Sequence, residues 1–426
     1  MKKSCKILIG SLFAAVLLLA VILLTGLFEN SEAPAAPQPS TQTESPQTTA
    51  AETTQCPPQT VPETVPETKS ADELRQEQLD ARARELLAEM TGEEKLCQLM
   101  MVSVDTLTGG NPTTVAGTRT SAALQQYPIG GLVFSQGNFQ TREQTVSMLS
   151  GMQSMSKTGL LLGVTEEGGT VWRVMKNSSM GTTVFDSMYS YRDSGTQTAY
   201  ENAKTIAQDL AGLGLNVDFA PVADVWSNPQ NTVIGKRAYS DDFAQAAELV
   251  AAAVEGFRDG GMICSVKHFP GHGCTAEDSH RGLARVDRTA EELRAEELLP
   301  FAAGIRAGAP MVMIGHLQVD AFDPDYPASV SYEIITKLLR EELGFDGVVI
   351  TDSLGMGALN GYTEAEKCIL ALNAGCDLLL GVTDIGGVLQ ALADAVADGT
   401  VPAERIEESV LRILRLKLEY GILPDS

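Results

Sequence analysis

The sequence predicts an α/β protein folded as a single (β/α)8 barrel of the TIM type, and three observations carry that expectation. Eight short apolar runs recur along the chain, each followed by a helical stretch. Parallel strands buried on both faces and joined by helical crossovers read in this way. Together they fill well over the roughly 250 residues that such a barrel needs. Polar and charged residues stand immediately after the runs, and a barrel gathers its chemistry in the loops at the carboxyl ends of its strands. A doubly wound sheet fits eight such units less well.

Two segments precede the barrel. Residues 1–30 carry Lys2, Lys3 and Lys6 and then run without a charge from 7 to 28, against the roughly 20 residues that span a bilayer. A cleavable signal has an apolar region of only about 7–15 residues and a small-x-small site, which is not evident here. The segment therefore reads as a transmembrane signal anchor. Its lysines place the start in the cytoplasm, so the expected location is the cell membrane, single-pass, with the catalytic domain extracytoplasmic. Residues 31–70 hold 8 of the 19 Pro, 9 Thr, no Gly and no aromatic, with a tandem VPET at 61–68. So little apolar surface does not offset the chain entropy of folding, and the segment reads as a disordered linker.

The barrel unit is assigned to 71–426. It opens with a helical pattern over 71–90 (Leu74, Leu79, Leu86, Leu87, Met90), and Thr91 with Glu94 forms a capping-box signature for a second helix. The strands are expected at 99–104, 131–134, 160–164, 215–219, 262–266, 310–314, 347–350 and 377–380. Thr289 with Glu292 marks a further helix start, and Pro402 opens a final amphipathic helix reaching Tyr420. After the runs stand Glu166, Glu167, Asp224, Lys267, His268, His316 and Asp352.

Lys plus Arg number 31 against 55 Asp plus Glu, a net charge of −24, and residues 1–70 account for only 4 Lys and 6 Glu of this. An acidic folded body argues against nucleic-acid binding and for a neutral or cationic small partner. Seven Cys without a C-x-x-C pair read as buried free thiols, with a Cys368–Cys376 or Cys264–Cys274 disulfide left open.

All four His lie at 268, 272, 280 and 316, three of them within the run KHFPGHGCTAEDSH at 267–280. A zinc reading of His268 and His272 needs a helix, which Pro270, Gly271 and Gly273 prevent. The alternative is a loop carrying an acid/base group. Asp278 is close enough in sequence to bond the His280 ring and fix its tautomer. Asp352, at the mouth of an apolar strand, reads as a nucleophile or base, or as a helix cap. A carboxylate on one loop and a proton donor on another is the pairing that glycosidic cleavage requires.

KHFPGHG with DSH, TEEGGTVWR (165–173), APVADV with IGKRAYS (220–240) and VITDSLGMGAL (349–359) together resemble glycoside hydrolase family 3. The likeness is to its bacterial β-N-acetylglucosaminidase branch and spans nearly all of 85–420. It implies a single barrel without the added C-terminal domain of some members, no cofactor and no metal. Carried over by position, Asp352 is similar to the nucleophile, His280 to the acid/base and Asp278 to the residue orienting it. Arg173, Arg237, Lys267 and His268 match sugar-binding positions. His316 is expected at the same mouth, and His272 is expected to hold the loop together.

Two departures stand out: Thr165 occupies the place of an Asp that grips the far end of the terminal sugar, and Thr170 that of an Arg. Glu166 as a substitute for the missing Asp, or a change of sugar, are the two ways to accommodate Thr165. The resemblance implies a retaining exo-β-N-acetylglucosaminidase acting on peptidoglycan fragments or related glycans. The alternatives are a glucosidase or xylosidase of the same family, and a wall-glycan-binding pseudoenzyme; phosphorolysis is a side expectation.

Overall fold

Eight parallel strands form one sheet in the structure, a computed structural model that describes residues 70–276, Ser279 and residues 282–425. They are β1 (Met100–Ser103), β2 (Gly131–Val133), β3 (Leu161–Val164), β4 (Val217–Asp218), β5 (Ile263–Phe269), β6 (Met311–Ile314), β7 (Val348–Thr351) and β8 (Leu379–Leu380). From β1 to β7 each pairs with its sequence neighbour, and β1 also pairs with β8 through Met100 against Leu379. A parallel bridge between Ile350 and Leu378 joins the remaining edges and all but closes the barrel. All eight expected strands are present, in order and parallel. The anchor expected over 1–30 and the linker expected over 31–70 lie outside the described residues, except that Ser70 caps the helix Ala71–Glu89. Among the described residues no helix is long and apolar enough to cross a membrane.

One strand boundary differs in a way that matters. β5 does not stop at Val266 but continues through Lys267 and His268 to Phe269, with a register shift against β6 between Val266 and Phe269. Lys267 and His268 are therefore strand residues. Charged side chains conceal a strand end when sequence is judged by apolar runs alone.

The expected helix starts are in place. Thr91 caps Gly92–Gln98 and Thr289 caps Ala290–Ala295, each with a reciprocal bond from Glu94 or Glu292. The final helix, Ala403–Glu419, begins directly after Pro402. The helix over Ala71–Glu89 lies at the surface: Leu79 and Ala83 are buried, while Leu74 is 47% exposed. A ribbon unforeseen in the sequence pairs Ala284–Arg285 with Leu317–Gln318. It ties the chain after residue 281 to the segment following β6. Cys97, Cys264, Cys274, Cys368 and Cys376 are free, so neither of the two disulfides left open is formed.

Candidate active site

The carboxyl ends of the strands surround a cavity of about 610 Å³, whose lining includes Thr165, Arg173, Arg237, Lys267, His268 and Asp352. The four expected sugar-binding residues and the expected nucleophile thus meet in one place.

Lys267 and Arg237 share one carboxylate. Glu167, just beyond β3, takes Lys267 Nζ at 2.5 Å on Oε1 and Arg237 Nε at 2.7 Å on Oε2; Arg237 Nη2 adds a second bond to Oε1 at 2.8 Å. Burial alone would raise the Glu167 carboxyl. The Arg237 and Lys267 charges outweigh it and hold Glu167 well below its ordinary value. Gly168 makes this placement possible: its φ is +87°, and a Cβ there would stand 2.8 Å from Asp186 O.

His268 is held by Asp224, which follows β4. Its Nδ1–H donates to Asp224 Oδ2 at 2.7 Å, and its backbone N–H points at the same carboxylate. With Nδ1 so engaged, Nε2 is the ring nitrogen left for a ligand. Asp224 also accepts the His272 N–H at 2.7 Å. Burial would raise this carboxyl; the His268 and His272 groups more than offset it and lower its pKa.

Asp352 sits one residue past β7. Its backbone N–H donates to Ile314 O at 2.9 Å, and its Oδ1 accepts the Ser353 N–H at 2.7 Å. Oδ2 has no bonded partner among the described residues. Against burial, which would raise it, the His268 and His316 rings, the Ser353 N–H and Lys267 keep the carboxyl below the ordinary Asp value. A half-buried carboxylate, kept ionised and with one oxygen uncommitted among the described residues, has the properties of a nucleophile.

Among the described residues, His272 and His316 do not line up with His268 as ligands around one point. His272 Nδ1 bonds Thr275 Oγ1 at 2.7 Å and Nε2 bonds Ser279 Oγ at 3.0 Å, so His272 holds its loop together as expected. The segment carrying it is not helical. His316 bonds Ser329 Oγ at 2.7 Å and Ser353 O at 3.0 Å. Asp278 and His280, the expected acid/base pair, lie outside the described residues.

Glu166 does not replace the missing Asp. It is buried, and its carboxylate accepts the backbone N–H groups of Arg173, Val174 and Met175 at 2.7, 2.8 and 3.3 Å. Those bonds fix the loop that presents Arg173, and burial dominates them to raise the Glu166 pKa. The cavity wall at this point is neutral, formed by Thr165, Thr170 and Val171.

In the sequence Glu167 and Asp224 stand as strand-end carboxylates with no visible task. Their nearest partners lie 70 and 44 positions away in the chain, and no local pattern announces them. The cavity can seat a neutral, hydroxyl-bearing ligand between fixed cationic donors and a carboxylate oxygen that has no bonded partner among the described residues.

Comparison with known proteins agrees. A model of the glycosyl hydrolase family 3 N terminal domain matches residues 91–416. A β-hexosaminidase A of Pseudoalteromonas piscicida is 34% identical over 72% of this chain, which spans 55% of that relative's length. A β-hexosaminidase of Xylella fastidiosa is 38% identical over 62% of this chain and 81% of its own. Among solved structures, a glycoside hydrolase family 3 β-N-acetylglucosaminidase from Paenibacillus sp. superimposes with a TM-score of 0.73 at 35% identity, over 78% of this chain and 63% of the other. A β-N-acetylhexosaminidase from Beutenbergia cavernae gives 0.70 at 27% identity, over 78% and 99%.

Proposed function

The chain belongs to glycosyl hydrolase family 3, and from that premise we propose that it is a retaining exo-β-N-acetylglucosaminidase. The observation that carries the reading is the grouping of Asp352 with Lys267, Arg237, His268 and Arg173 around one cavity. Lys and Arg donors suit the hydroxyl and acetamide oxygens of an amino sugar. Asp352 Oδ2 attacks the anomeric carbon to give a covalent glycosyl-enzyme. His280, oriented by Asp278, protonates the leaving oxygen and then takes a proton from the water that releases the sugar. Peptidoglycan fragments are the proposed substrates. The uncharged run over residues 7–28 behind three lysines supports a membrane-anchored enzyme working outside the cytoplasm.

Residues 71–426 assayed with EDTA on chromogenic β-N-acetylglucosaminide, β-glucoside and β-xyloside test the proposal. Turnover of the first alone is expected, falling roughly 1,000-fold or more in Asp352→Ala. A second reading rests on the neutral wall at Thr165, which changes what holds the far end of the sugar; preferred turnover of the glucoside or xyloside would establish it. Silence of a folded protein on all three would overturn both readings in favour of glycan binding without catalysis.

A further inference from the structure

The cavity leaves two buried side chains without a task, and both act on the backbone immediately after Asp352. His316, fully buried, donates from Nε2 to Ser353 O at 3.0 Å. A carbonyl oxygen only accepts, so Nε2 carries the hydrogen. Burial lowers the His316 pKa and keeps the ring neutral, and Nδ1 then accepts from the Ser329 hydroxyl at 2.7 Å. Ser329 thereby selects the tautomer that serves Ser353. Lys367, on the helix Glu364–Ala374 and also buried, donates from Nζ to Leu354 O at 2.8 Å. No carboxylate pairs with it among the described residues. Burying an ammonium against a neutral carbonyl costs stability that an apolar side chain would not, and what it secures is the position of Leu354 O.

We propose that His316 and Lys367 are positioning residues that clamp the carbonyls of Ser353 and Leu354, after Asp352, and so aim its Oδ2. The geometry is sequential. Asp352 N–H is fixed on Ile314 O and Leu354 N–H on Leu380 O, each at 2.9 Å. His316 fixes the Ser353 carbonyl between them. The peptide joining Asp352 to Ser353 is pinned from both sides, and its N–H is the group that engages Oδ1 at 2.7 Å. Oδ1 stays occupied and Oδ2 alone faces the substrate. The end of β6 does this twice, through Ile314 O and through His316. The proposal rests on the reading of Asp352 as nucleophile, and misplacement of a reacting group by ~1 Å can cost on the order of 100-fold in rate.

His316→Leu, His316→Gln and Lys367→Met, measured beside the wild type, test the clamp. Turnover of the chromogenic β-N-acetylglucosaminide should show kcat lower by roughly 100-fold in His316→Leu and about tenfold in Lys367→Met, with KM moved less than about threefold. The Gln amide, which offers a donor near the Nε2 position, should restore about tenfold of the loss. Amide hydrogen exchange gives a readout independent of turnover: Ser353, Leu354 and Met356 should exchange faster in Leu and Met variants while the other strands keep their protection. Unchanged exchange there, loss of protection throughout the barrel, or a raised KM with kcat intact would each overturn the clamp. Local release in a protein whose wild type ignores the glycoside would overturn the hexosaminidase reading and leave the clamp standing.

Discussion

Glu167 shows how much of the site one carboxylate holds. It neutralises part of the charge on two cations and fixes their separation, so both approach a ligand already oriented. Glu167→Gln replaces an anion by an amide whose own N–H groups face Lys267 and Arg237. KM for the N-acetylglucosaminide should rise about tenfold, and the protein should lose ~3 kcal/mol of stability in urea unfolding, because two buried cations lose their counter-charge. An unchanged KM would mean that Lys267 and Arg237 hold their places without it. Asp352, Lys267, His268, Arg173 and Arg237 were legible in the sequence because each lies in or beside a distinctive motif. The tasks of Glu167 and Asp224 were not, since a carboxylate's partners are set by which strands become neighbours.

Among the loops, the one following β5 has the tightest seat. Gly273 presses on the neighbouring segment so closely that a Cβ would stand 1.7 Å from Val225 O and 2.6 Å from its carbonyl carbon. Neither group can yield, because both are backbone. Gly273→Ala must lift the loop from Val225 and stretch the bonds from His272 N–H to Asp224 and from Asn231 Nδ2 to His272 O, now 2.7 and 2.8 Å. Activity should fall at least about tenfold and stability by roughly 2–3 kcal/mol. Gly282→Ala, whose Cβ meets nothing within 4 Å, is the control and should leave both near wild type. Equal behaviour of the two variants in the assay and in urea unfolding would refute the account. Capping boxes at Thr91 and Thr289 were readable because all their parts lie within four residues. The Ala284–Arg285 ribbon was not, since its partner strand is over thirty residues away.

The whole barrel is tied at the amino ends of its strands by the final helix, Ala403–Glu419. Asp377, just before β8, takes Arg405 and Arg412 from that helix and Arg340 from the preceding Glu333–Glu342 helix, at 3.1, 3.1 and 2.6 Å. Lys417, at the other end of the final helix, is fully buried and donates to Gln98 Oε1 at 2.7 Å and Gly159 O at 2.8 Å. Burial pulls its pKa down to about 7. The unfolded chain therefore binds the proton more tightly than the folded one. The contribution is full above the ordinary lysine value and is lost as pH falls through about 7. Urea unfolding at pH 7 and pH 9 should show wild-type stability gaining about 2 kcal/mol relative to Lys417→Met, with titration elsewhere cancelling in the comparison. Parallel pH profiles for the two proteins would show that Lys417 is charged in the fold.

The sequence by itself determined the eight strands, their parallel order and the helix starts, because apolar periodicity and capping act over a few residues and need no knowledge of the fold. It also singled out the motifs whose residues Arg173, Arg237, Lys267, His268 and Asp352 line one cavity. Only the tertiary structure decided that Lys267 and His268 belong to β5, that Glu166 fastens the Arg173 loop instead of facing the cavity, and that His316 and Lys367 meet the carbonyls beside Asp352. Closing the barrel creates those contacts between residues far apart in the chain. A buried polar group takes whatever partner closure brings to it, because leaving it unpaired costs more than any local preference.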